Sequence, residues 1–197
     1  MNTKGLLIVV SAPAGCGKDT ILECAFDSCT NLHYSVSATT RQIRDGEKEG
    51  VHYFFKSPEE FKAMIEADEF LEYTEYAGNY YGTPKAYIPE VLSAGKNVVM
   101  KIEVEGAGNI KKLFPDCVSV FILPPSFSEL ERRLRKRGTE TEESIKKRIN
   151  AAKIEMSFVK NYDYVIINEK LEDAVRDFIA ILHAERLCVK RGLPGIS

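Results

Sequence analysis

Two glycines, a lysine and three oxygen-bearing side chains crowd into Ser11-Ala12-Pro13-Ala14-Gly15-Cys16-Gly17-Lys18-Asp19-Thr20. Glycines at that spacing let the backbone turn its N–H groups inward, and a following helix N-terminus adds positive potential. Both suit a bound phosphate. Lys18 would reach the outer phosphates of a nucleotide. The strict phosphate-loop pattern has Gly where Ala12 stands and a hydroxyl where Asp19 stands. A carboxylate at Asp19 can ligand Mg²⁺, yet it would lie close to phosphate oxygens of the same sign. Thr20 falls one residue late for the hydroxyl position. An ordinary strand-to-helix turn with a solvated lysine is the plain alternative.

Moving a phosphoryl group requires fixed positive charge around its oxygens, and arginine supplies it in a planar fork. One arginine group, Arg41 and Arg44, lies beside the hydroxyls of Ser37, Thr39 and Thr40. Another, Arg132, Arg133, Arg135 and Arg137, sits on a basic helical stretch, with Arg148 further on. Arg133 and Arg137 are four apart and share a helical face, while Arg132, Arg135 and Lys136 read as a solvated face. Glu72, Tyr53, Tyr81, Ser37 and Thr83 have the composition of a base-reading set. A carboxylate can accept from a purine's ring N–H and amino group together, which favours guanine. Taken singly, these tyrosines read as packing and Glu72 as a solvated carboxylate.

The elements that must position these residues follow from periodicity. Leu6-Leu7-Ile8-Val9-Val10 reads as a fully buried strand entering the loop, and a helix leaves the loop and runs to about Ser28. Further strands are expected at Tyr34–Ala38, Val51–Phe55, Phe70–Tyr76, Asn79–Gly82, Asn97–Ile102, Cys117–Leu123 and Tyr164–Asn168. Ser57-Pro58-Glu59-Glu60 is a helix start, with Ser as cap and Glu three residues on. Other helices are expected at about Lys85–Ala94, Ala107–Phe114, Glu129–Lys136, Glu142–Lys160 and Leu171–Lys190. Buried strands alternating with helices indicate an α/β fold with a mostly parallel, doubly wound sheet. The block from Ser37 to Pro84 forms a strand-rich insertion.

The 197 residues suit one sizeable unit. A net charge of −2 gives no electrostatic argument for nucleic acid or a membrane surface. No apolar run is long enough to span a bilayer, and the opening residues lead straight into the first strand, leaving no room for a signal peptide. Five cysteines without metal-ligand spacing suggest reduced thiols and a cytoplasmic protein. The scattered His33, His52 and His183 read as structural or surface residues.

These motifs together resemble the guanylate kinases. The resemblance runs from about Gly5 to Arg186. It rests on Ser11-Ala12-Pro13 with Gly15-Cys16-Gly17-Lys18, Val36-Ser37-Ala38-Thr39-Thr40-Arg41, Gly78-Asn79-Tyr80-Tyr81-Gly82-Thr83, Phe121-Ile122-Leu123-Pro124-Pro125-Ser126 and Arg137-Gly138-Thr139-Glu140-Thr141-Glu142-Glu143. It implies Mg²⁺-assisted transfer of a phosphoryl group from ATP to GMP or dGMP in purine nucleotide metabolism. The implied architecture is a three-layer P-loop core (1–36, 85–125, 150–197), a GMP-binding lobe (37–84) and a helical lid (126–149), in a monomer or homodimer. Position by position, Ser37, Arg41, Arg44, Tyr53, Glu72, Tyr81, Thr83 and Glu103 would bind GMP. Within that set, Arg41, Arg44 and Tyr81 would hold its phosphate, while Glu72, Ser37 and Thr83 would read the base. Ala14, Gly15, Cys16, Gly17, Lys18, Asp19, Thr20, Arg133, Arg137, Asn168 and Glu169 would hold ATP, with Asp19 the candidate metal ligand. Lys18, Arg44, Arg137 and Arg148 would be catalytic.

The sequence departs from the family at Asp19 and where the family usually has Asp-x-Asp. Lys101-Ile102-Glu103 stands there, keeping the second carboxylate and reversing the first charge. Lys101 would disturb the acceptor site, or would compensate Asp19 if the two meet in space. Two alternatives stay open: a weak or inactive guanylate-kinase-like binding module, and a monophosphate kinase of altered acceptor preference. Cys16, near a helix N-terminus and Lys18, is expected to have either a lowered thiol pKa and oxidation sensitivity, or no role beyond being small.

Overall fold

The computed structural model describes residues 4–76, 78–86, 88–136 and 141–191. Its elements in chain order are β1 (Leu7–Ser11), α1 (Lys18–Ser28), β2 (Leu32–Tyr34), β3 (Ala38–Thr39), β4 (Phe54–Phe55), α2 (Pro58–Glu66), β5 (Phe70–Tyr76), β6 (Asn79–Pro84), α3 (Ile88–Ser93), β7 (Asn97–Lys101), α4 (Val104–Leu113), β8 (Val118–Leu123), α5 (Phe127–Lys136), α6 (Glu142–Met156), β9 (Tyr164–Ile167) and α7 (Leu171–Arg186). Single 3-10 turns at Val159–Asn161 and Val189–Arg191 follow α6 and α7.

Five strands form a sheet in the order β2-β7-β1-β8-β9, and every neighbouring pair is parallel. β1 is central, with Ile8 opposite Val99 on one side and Val118 on the other. Its apolar run is continuous because both sheet faces are covered. Ile8 and Val10 pack with Ile21 and Leu22 of α1, Leu130 of α5 and Phe178 of α7. Leu7 and Val9 face the other way, onto Ile88 of α3, Met100 of β7 and Ile110 of α4. Each such buried aliphatic side chain contributes about 1.5–3 kcal/mol relative to exposure. This is the three-layer α/β core.

A second sheet, β4-β3-β6-β5, lies between β2 and α3 in the chain. Its own small core stacks Phe61 on Phe70, with centroids 4.4 Å apart, and on Tyr80 at 5.5 Å. The start of α2 is the expected capping box. Ser57 Oγ accepts from the Glu60 N–H at 3.1 Å, and Glu60 Oε2 accepts from the Ser57 N–H at 2.7 Å.

The expected strand over Tyr34–Ala38 is instead two strands in different sheets. β2 ends at Tyr34 and β3 begins at Ala38, because the chain leaves the parallel sheet there and enters the second one. The Val51–Phe55 strand is confined to Phe54–Phe55, with residues 51 and 52 in a turn. The helix expected from Lys85 begins at Ile88, since Lys85 N still donates to Glu69 O beside β5 and β6. The helix expected to reach Lys160 breaks after Met156, where Ser157 Oγ turns back to donate to Ile154 O at 2.6 Å.

Candidate active site

The phosphate loop lies at the C-terminal edge of β1, where an open parallel sheet presents its ligand crevice. Gly15 and Gly17 have φ of +91° and +83°, a region that disfavours any side chain. Space is tight as well. A Cβ on Gly15 would lie 3.0 Å from Leu134 Cδ2 and 3.1 Å from Leu130 Cδ1 of α5, and one on Gly17 would collide with Asn168 Nδ2. Asn168 Nδ2 donates to Cys16 O at 2.8 Å, and Arg133 Nη2 donates to Asn168 O at 2.9 Å. Asn168 is buried, so its side chain braces the loop from below. Glu169, beside it, is exposed.

α1 opens at Lys18 with Gly17 as its cap, which turns the first helical N–H groups toward the loop. Ala14, Asp19 and Thr20 are exposed. The reactive reading of Cys16 is corrected: its side chain is fully buried in the core, and burial pushes the thiol up to about 12 despite Arg133 and Lys18 nearby. Only its backbone is available to a phosphate.

Ser37, Arg41, Arg44, Tyr53, Glu72, Tyr81 and Glu103 all line one cavity of about 490 Å³, together with Asp19, Lys101 and Arg148. Thr83 is not on the cavity wall; the β5–β6 register sets it beside Glu72, and Thr83 Oγ1 donates to Glu72 Oε1 at 2.7 Å. Glu72 is 9% exposed, and burial raises its carboxyl while the Thr83 hydroxyl opposes that. Arg41 is held by a fork to Glu47, with Nη2 to Oε1 at 2.7 Å and Nη1 to Oε2 at 3.1 Å. Its guanidinium lies 5.4 Å from the Tyr53 ring centroid. The hydrogen bond to Glu47 raises the Arg41 pKa, and that from Arg41 lowers Glu47. Thr39 orders the segment by donating to Tyr80 O at 2.9 Å and accepting from Arg41 N at 3.2 Å. Arg44 is exposed at the cavity wall.

The two departures meet. Lys101 Nζ is 3.1 Å from Asp19 Oδ1 and 5.0 Å from the Tyr34 ring centroid. The approach that compensation requires is therefore present, and one oxygen of the candidate metal ligand is engaged by an ammonium.

Arg133 is not on the cavity wall; its Nε donates to Glu129 Oε1 at 2.7 Å. Glu129 also holds Arg132, and these two guanidiniums lower its carboxyl to about 2. Arg135 pairs with Glu131 and Glu142. The basic helix is thus an interleaved charge lattice. Arg137 lies outside the described residues.

Three site residues gave no signal in the sequence. Glu47 clamps Arg41 and accepts from Arg44 N at 2.8 Å. Gly106 lies under Glu72, where a Cβ would approach Oε2 to 2.8 Å. Glu155 near the end of α6 feels both Glu103 and Lys18, and burial with the Glu103 charge raises it to about 7. Among the described residues, no helix is long and apolar enough to cross a membrane.

A family model described as guanylate kinase matches residues 4–185. A guanylate kinase of Halalkalibacterium halodurans is 53% identical over 92% of this chain and 89% of its own length. One of Carboxydothermus hydrogenoformans is 52% identical over 95% and 92%. The crystal structure of a guanylate kinase from Anaplasma phagocytophilum superposes with a TM-score of 0.81 at 33% identity, covering 96% of this chain and 90% of that one. Nothing among these relatives favours the binding module or the altered acceptor. With its phosphate loop, its arginine- and tyrosine-lined cavity and this likeness over nearly its whole length, the chain belongs to the guanylate kinase family, the ATP:GMP phosphotransferases.

Proposed function

We propose that the side chains gathered here divide the family's reaction among three parts: a core carrying ATP (1–36, 85–125, 150–197), a lobe carrying GMP or dGMP (37–84), and a lid (126–149). The observation that carries the reading is the buried Glu72, bonded to Thr83, on the wall it shares with Arg41, Tyr53 and Tyr81. Glu72 has one oxygen satisfied by Thr83, and the other is free to accept from guanine's ring N–H and amino group. An adenine edge offers no such pair of donors. Ser37 adds a hydroxyl beside the base. Arg41, Arg44 and Tyr81 hold the acceptor phosphate, with Arg41 already aimed by Glu47.

The acceptor is an ionised phosphate, so attack needs alignment and charge neutralisation rather than a strong base. Loop N–H groups and Lys18 hold the donor phosphates, Arg148 on the cavity wall neutralises the oxygens of the transferring group, and the family resemblance gives Arg137 the same role. Lid closure excludes water and limits ATP hydrolysis. Asn168 and Arg133 serve by fixing the loop. Asp19 keeps one oxygen beyond the one that Lys101 engages, and it would offer that hard donor to a magnesium ion entering with ATP. When bound, Mg²⁺ would supply charge neutralisation at the donor phosphates. We place the protein in the cytoplasm as a monomer or homodimer.

The test is a coupled ADP-release assay with ATP and each of GMP, dGMP, IMP, AMP and UMP. Turnover with GMP and dGMP, weaker with IMP, which lacks the 2-amino donor, is expected. AMP turnover equal to that with GMP would refute the assignment of Glu72.

A further inference from the structure

The Lys101–Asp19 pair stands where the two halves of the site meet. Lys101 is the last residue of β7, paired in register with Val10 just before the phosphate loop. Asp19 follows Lys18 in the first turn of α1. Both line the same cavity as Arg41, Arg44 and Arg148. A carboxylate there repels an entering phosphate, and the ammonium 3.1 Å away cancels that repulsion. An ammonium also has three donors, and Asp19 uses one of them. The same ammonium lies 5.0 Å from the centroid of the Tyr34 ring, which itself stacks flat on Phe26 with centroids 3.7 Å apart. The ammonium is therefore held by two neighbours, with donors left over, on the wall of the cavity assigned above to the acceptor.

We infer that Lys101 is a further catalytic residue, contacting the acceptor phosphate with a donor Asp19 does not use, and that Asp19 and Tyr34 are its positioning residues. The inference rests on the acceptor site being the one assigned above. It makes the pair more than a self-cancelling ion pair: Asp19 aims the charge, and the phosphate uses it.

The experiment compares binding of GMP and of guanosine, without ATP, by chemical-shift titration of the wild-type chain, Lys101→Met, and the double variant Lys101→Met/Asp19→Asn. Guanosine carries the base and ribose without the phosphate. Expected are a loss of about tenfold or more in GMP affinity for Lys101→Met, and unchanged guanosine affinity. The double variant regains what Asp19 repulsion removed but stays about fivefold or more below wild type, and Lys101→Arg retains most of the affinity. Full wild-type GMP affinity in the double variant would overturn the inference, since a self-cancelling pair is restored when both charges go. So would an equal loss of guanosine affinity, the mark of a merely structural disturbance. A wild-type chain that binds AMP as well as GMP would instead defeat the acceptor assignment itself, a result that shows without any variant.

Discussion

Gly106→Ala adds a single methyl group beneath Glu72, the carboxylate proposed to read the base. Its Cβ would stand 2.8 Å from Glu72 Oε2 and 3.3 Å from Glu72 Cδ, where ordinary contact begins at 3.4 Å, so Oε2 must retreat by 3.4 − 2.8 = 0.6 Å. The other oxygen is tied to Thr83 at 2.7 Å, so the carboxylate can only pivot about that bond. Pivoting spoils one of the two bonds expected to guanine. A hydrogen bond to a charged group is worth about 1.5–3 kcal/mol, which corresponds to a rise in the GMP KM of about tenfold to a hundredfold. Stability is held, because Gly106 is in the first turn of α4, where alanine's helical preference of up to about 0.5–1 kcal/mol offsets the contact it creates. The assay is steady-state kinetics with GMP and ATP varied separately, beside a thermal melt. The expected pattern is a raised KM for GMP, an ATP KM within about twofold of wild type, and a melting temperature no lower than the parent's. An unchanged GMP KM would refute the reasoning. A matched rise in both KM values with a lowered melting temperature would also refute it, since that is the mark of general damage.

Two further substitutions test other parts of the site. Asn168→Ala leaves the Cys16 carbonyl without its partner, and we expect a loss of about 1–3 kcal/mol in chemical denaturation with a weakened ATP KM, whereas an unaffected ATP KM would show that the brace does not shape the loop. Glu155, with its carboxyl raised to about 7 by burial, by Glu103 and against the opposing Lys18, holds a proton in the folded state that the unfolded chain gives up near its ordinary 4.5. Its contribution is therefore full below about 4.5 and is lost as pH rises through about 7; with solvent screening we expect about 1 kcal/mol. Melts of Glu155→Gln and the parent should coincide near the acid end and separate in favour of the variant above neutrality; a gap independent of pH would sink this account.

What the sequence made legible was chiefly local. Only glycine tolerates the positive φ at residues 15 and 17, and the Ser57–Glu60 capping box closes on itself within one turn. The alternation that placed β5 and β6 opposite one another also brought Glu72 beside Thr83. The failures share a cause, which is that the deciding neighbour is distant in the chain. A helix N-terminus and a nearby lysine argue for an acidic thiol at Cys16. Leu130 and Leu134 pack over the loop beside it from α5, and core burial outweighs both charges. A period of two runs smoothly through Tyr34–Ala38, but periodicity does not say which sheet a strand joins, and the chain changes sheets at Ser35–Ser37. No pattern marks Gly106 as the floor beneath a carboxylate 34 positions earlier.

The same distinction explains how this chain tolerates two reversed or added charges at the centre of a phosphate-transfer site. Asp19 alone would oppose ATP, and Lys101 alone would add a cation to a wall that carries Arg41, Arg44 and Arg148 as well as Glu23, Glu47, Glu72 and Glu103. Placed 82 residues apart in sequence but 3.1 Å apart in space, they leave the site's net charge where a neutral pair would leave it. At 68% exposure for Asp19 and 39% for Lys101, such a pair adds about 0–1 kcal/mol to folding, too little for stability to be its reason. Exposure on the cavity side is instead what a phosphate requires, because a buried ammonium could offer no remaining donor. The weakness of the bridge as a structural bond and its position on the wall of the anion site therefore point the same way, to a charge kept within reach of the substrate.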